Sequence, residues 1–64
     1  MSKAERLATR LDKLNPQATV KRGKGHYVVM VGPKIVGILP YKQAQEGLSY
    51  NLRGQFARAG LTVP

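Results

Sequence analysis

At 64 residues the chain has room for one domain, residues 1–64, and for one hydrophobic core. It has no cysteine and a single histidine, so a disulfide framework and a zinc-ligand cluster are both out of reach, and no cofactor is expected. Eleven Lys and Arg against three acids leave a net charge of +8, a balance that favours a polyanionic partner, nucleic acid ahead of a membrane surface.

No run of about eighteen apolar residues is present, so no membrane-spanning segment is expected. The start, Met1-Ser2-Lys3-Ala4-Glu5-Arg6, lacks the apolar stretch of a signal peptide, and a cytoplasmic location is the expectation. Ser2 and Glu5 have the spacing of a capping box, and Ala4, Leu7, Ala8, Leu11 and Leu14 recur at helical spacing behind it. Asn15-Pro16 ends this first helix, since a residue before proline is pushed out of the helical region.

Three short strands follow. Residues 18–22 form the first, with Gly23-Lys24-Gly25 as its turn. His26 to Val31 forms the second, Gly32-Pro33-Lys34 the next turn, and Ile35 to Leu39 the third strand, closed by Pro40. Turns this short imply an antiparallel meander. The polar segment from Tyr41 to about Gln45 reads as a loop or the approach to a helix. Leu48, Leu52, Phe56 and Ala59 then mark a second amphipathic helix, weakened by Gly47 and Gly54 and capped by Gly60, with Leu61 packing back. The expected fold is α+β, in the order α-β-β-β-α, with both helices on one face of a three-stranded antiparallel sheet.

Chemistry concentrates at one place. His26 is the one side chain suited to proton transfer near neutral pH, and it follows Lys21-Arg22-Gly23-Lys24-Gly25 directly. Glycine there lets a polyanion approach the backbone, while Lys21, Arg22 and Lys24 attract phosphate. An imidazole beside a ribose 2′-hydroxyl can take its proton and drive attack on the adjacent phosphorus, with lysine stabilising the charged oxygens. The general acid stays open among Tyr41, Lys24 and water. Strand alternation puts His26, Val28 and Met30 on one sheet face and Tyr27, Val29 and Val31 on the other. If the helices cover the Tyr27 side, His26 shares an open face with two apolar side chains. Arg53 and Arg58, off the apolar stripe of the last helix, are further candidates for phosphate contact.

The run Gly23-Lys24-Gly25-His26-Tyr27, the strand closing in Leu39-Pro40, and the end of the chain from Asn51-Leu52-Arg53 through Ala57-Arg58-Ala59-Gly60-Leu61 resemble the HicA family of toxins, most of all its short actinobacteriophage-type members. The resemblance covers about residues 2–61. It implies a double-stranded-RNA-binding-domain-like fold and a metal-independent mRNA interferase. It also implies a catalytic histidine at His26 and a HicB-like antitoxin as partner, acting in the host cytoplasm if phage-encoded. Two other readings remain beside the endoribonuclease: a non-catalytic RNA-binding module, and a phage-encoded inhibitor that docks on a host protein, or pairs with a second copy, through the Val28 and Met30 face.

Overall fold

The computed structural model describes all residues 1–64 and runs helix, three strands, two helices: α1 (Lys3–Leu14), β1 (Ala18–Gly23), β2 (His26–Val31), β3 (Lys34–Pro40), α2 (Tyr41–Glu46) and α3 (Tyr50–Arg58). The class is α+β. The sheet order is β1-β2-β3, antiparallel throughout.

α1 begins with the capping box that its sequence promises. Ser2 Oγ accepts from the Glu5 amide at 3.1 Å, and Glu5 Oε1 accepts from the Ser2 amide at 3.1 Å. The Ser2 amide first, and then the Ser2 hydroxyl, hold the Glu5 carboxyl below its usual value. Ala4, Ala8 and Leu11 are buried and Leu7 packs beside them, but Leu14 at the last position of the helix is exposed. The place in the core next to the helix end belongs instead to Asn15, which has no exposed surface. Its Nδ2 donates to the Leu11 and Thr62 carbonyls at 2.8 and 2.9 Å, and its Oδ1 accepts from the Thr62 amide at 2.6 Å. The side chain thus serves as both helix cap and clamp for the C-terminal tail.

Both hairpin turns are tighter than the sequence suggests. Gly23 pairs with His26 and Val31 with Lys34, which leaves Lys24-Gly25 and Gly32-Pro33 as two-residue connections. Gly25, at φ 71, occupies a backbone region that L side chains rarely adopt. On β3 the register jumps: Val29 pairs with Gly37 but Met30 with Ile35, so Val36 is a bulge. The Val36 carbonyl at this edge accepts from Gln55 Nε2 at 2.9 Å. Gly37 is required by packing, because a Cβ there would fall inside the contact radius of Phe56 Cε1. Its bare backbone lets α3 seat a fully buried Phe56 against β3.

The segment read as a loop at Tyr41–Gln45 is α2. Six residues are too few for a helical period to register, and long-range contacts hold it. Ala44 is buried, Gln45 Oε1 accepts from the Ala4 amide at 2.8 Å, Tyr41 Oη lies 3.3 Å from Ser2 Oγ, and the Tyr41 amide donates to the Gly25 carbonyl at 2.9 Å. α2 therefore finishes the N-terminus of α1 and ties it to the first hairpin.

α3 starts later than its apolar spacing implies. Leu48 precedes it, and Ser49 is the cap, with Oγ accepting from the Leu52 amide at 3.2 Å. Gly47 lies outside the helix, so only Gly54 interrupts it, at about 1 kcal/mol relative to alanine. The far end closes on Gly60, at φ 85. The Gly60 amide bonds to the Ala57 carbonyl and the Leu61 amide to the Phe56 carbonyl, both at 3.0 Å, and buried Leu61 packs back on the core as expected.

Candidate nucleic-acid interface

Tyr27, Val29 and Leu39 are buried beneath the helices, so Tyr27 is on the covered side of the sheet and His26 on the open side. The register sets the open face out in three rows across the strands: Gly23–His26–Pro40, Lys21–Val28–Ile38 and Thr19–Met30–Ile35. His26 lies across its partner Gly23. A Cβ built on that glycine would sit 3.0 Å from His26 Nε2 and 3.3 Å from Cε1, so the missing side chain is the seat of the imidazole. The ring is half-buried, and its nitrogens make no hydrogen bond within the protein.

Lys21 stands on the same face in the adjoining row, a diagonal neighbour of His26 at roughly 7–8 Å between backbones. Exposed Lys24 and Gly25 form the turn that leads into His26. These residues come together as the sequence implies.

Arg22 does not join them. It pairs with Tyr27, and its guanidinium lies 5.8 Å from the Tyr27 ring and 4.9 Å from the Tyr41 ring, on the covered side. The two rings are themselves 6.3 Å apart, and Arg22 caps the pair. Tyr41, named above as a candidate acid, directs its hydroxyl toward Ser2 in the same region, away from the His26 face.

Arg53 and Arg58 are on α3, which packs against the covered face of β3 and is separate from the His26 surface. Arg53 Nη1 donates to the Pro64 carbonyl at 3.2 Å, and Arg58 folds back over Gly54.

Charge and apolar area divide unevenly between the two sides. All three acids are on helices, Glu5 and Asp12 on α1 and Glu46 on α2, so the charged groups of the open face and its turns are basic. A hollow of about 260 Å³ between α1 and β1 has Glu5, Asp12 and Arg22 in its wall, so its charge is mixed, unlike that of the open face. The open face also carries Ile35 at 55% and Ile38 at 51% exposure beside half-buried Val28 and Met30. Sequence alternation identifies Val28 and Met30. Ile35 and Ile38 escape it because the bulge at Val36 reverses the alternation between them.

No helix is long and apolar enough to cross a membrane. Comparison with known protein families, with curated proteins and with solved structures finds no match for this chain. The chain is a small α+β domain with a basic, partly apolar, helix-free sheet face.

Proposed function

We propose that this domain is a HicA-like, RNA-directed endoribonuclease that cleaves by transesterification in the cytoplasm, with His26 as general base. The observation that carries the reading is the position of His26. Its imidazole is unengaged, seated on a glycine, and placed on an open face whose charged neighbours are cations.

An RNA backbone laid across this corner meets Lys21 and Lys24 while the imidazole takes the proton of a 2′-hydroxyl. The 2′-oxygen then bonds to the adjacent phosphorus and the 5′-oxygen departs, giving a 2′,3′-cyclic phosphate and a 5′-hydroxyl. Lys21 and Lys24 stabilise the charge that builds on the phosphoryl oxygens. Lys24, in the turn that leads into His26, and water are the candidate proton sources for the leaving oxygen. The resemblance to HicA supplies the same assignment from the motif around Gly25-His26.

A second reading rests on Ile35 and Ile38. An exposed apolar strip is of little use to a phosphate backbone and suits a protein partner, whether a HicB-like antitoxin covering His26 or a host protein held by an inhibitor. The deciding experiment incubates a long single-stranded RNA with wild type and His26→Ala, both in EDTA. Cleavage by wild type that falls by about 10²- to 10⁴-fold in the variant supports the endoribonuclease. RNA that is bound but remains intact with both proteins removes the enzyme and leaves a binding module. Absence of binding at low salt removes RNA altogether and leaves the protein-docking reading.

A further inference from the structure

Gly54 is a glycine that the packing of the fold does not require. It stands in the middle of α3, where alanine would favour the helix, and a Cβ built on it would meet only the Nη1 of Arg58, at 3.3 Å. Gly37, by contrast, has an aromatic ring against it. What Gly54 does provide is the floor of a hollow of about 550 Å³ on the outer side of α3, whose wall includes Tyr50, Asn51, Arg53, Arg58 and Val63.

Tyr50, Gly54 and Arg58 fall at i, i+4 and i+8, one row along the helix. Tyr50 is 90% exposed, an aromatic ring with no packing role of its own. The Arg58 guanidinium reaches back to Gly54. Gly54 thus seats the guanidinium against the helix, and the exposed Tyr50 ring borders the same hollow, so a flat aromatic surface and a flat cation line one cleft.

We propose that this hollow on α3 binds one nucleotide of a single-stranded RNA, its base stacked against the Tyr50 ring and the Arg58 guanidinium that Gly54 seats. Aromatic rings and arginine planes are the two surfaces on which proteins stack unpaired bases. The charge is complementary, since α3 contains Arg53 and Arg58 and no acid. Arg53, one turn from Tyr50 and exposed, keeps N–H donors for a phosphate beyond the bond it gives to the Pro64 carbonyl. This second contact surface rests on the RNA reading above but not on cleavage, and it is separate from the His26 face, so a strand held here is tethered while His26 acts elsewhere on it.

The test measures anisotropy of a short labelled oligouridylate titrated with the full chain at low salt, in a His26→Ala background that prevents cleavage. Tyr50→Ala should weaken binding by roughly 5- to 150-fold, the range for loss of one stacked base, while Tyr50→Phe keeps the affinity. Gly54→Ala should raise the melting temperature and yet weaken binding, a combination that damage to the fold cannot produce. Arg53→Gln should reduce the salt dependence of log K by roughly 0.7, the share of one phosphate contact. Parental affinity in both Tyr50→Ala and Gly54→Ala would overturn the α3 site and leave RNA binding at the sheet face intact. Equal losses in Tyr50→Ala and Tyr50→Phe would overturn stacking as its basis. Failure of the parent protein to bind would overturn the RNA reading itself, and this site with it.

Discussion

Replacing Asn15 with alanine removes three hydrogen bonds at a position with no exposed surface. At about 1 kcal/mol net for each bond, the loss is about 3 kcal/mol. A domain of this length has a total stability of roughly 3–10 kcal/mol, so one side chain supplies a large share of it. The melting temperature should fall by roughly 12–24 °C, and urea unfolding should show an earlier midpoint. Asn15→Asp should be no milder. It keeps the acceptor for the Thr62 amide but turns an oxygen toward the carbonyls of Leu11 and Thr62, where Nδ2 now donates. Thr62→Ala is the control. Thr62 takes part through its backbone and its side chain is exposed, so the change should stay within about 0.5 kcal/mol. An Asn15→Ala protein within about 1 kcal/mol of wild type, or a Thr62→Ala protein equally damaged, would refute the role assigned to this clamp.

The hydroxyl of Tyr27 is buried without a hydrogen-bond partner, so Tyr27→Phe should stabilise the fold, by about 1 kcal/mol in thermal or urea unfolding. The carboxyl of Glu5 titrates lower in the folded chain than in the unfolded one, because the Ser2 amide and hydroxyl bond to its charged form. Its contribution is therefore fully present above the unfolded value of about 4.3 and lost as pH falls through the lower folded value. Melting curves across that acid range should decline less steeply for Glu5→Gln than for wild type.

The parts of the fold that are legible in sequence are those set by near neighbours. Ser2 and Glu5 announce α1, the glycines announce the hairpins, Gly60 announces the end of α3, and alternation puts His26 and Tyr27 on opposite faces. What escapes depends on residues far apart in the chain. α2 owes its place to Gln45 on the Ala4 amide and to Tyr41 near Ser2, and a polar hexapeptide carries no trace of either. Asn15 looks like a helix stop before proline, and its bond to the tail needs Thr62, 47 positions away. At the site, His26, Lys21 and Lys24 come together as composition and spacing suggest. Arg22 leaves the group because adjacent strand residues face opposite ways, and two tyrosines from the covered side are there to receive it. Tyr50 lies off the Leu52 and Phe56 stripe, and its exposure is fixed only by the docking of α3.

The two ends of α1 are finished by partners 41 and 47 residues downstream, Gln45 and Thr62. Its capping box and apolar stripe let this helix form from local contacts, but its N-terminal end is finished only when Gln45 docks and its C-terminal end only when Thr62 does. The strand meander between is joined by two-residue turns and can assemble on its own schedule. Fastening α1 therefore waits on two long-range closures, so the helix that local signals start first is the element tied down after the hairpins have paired.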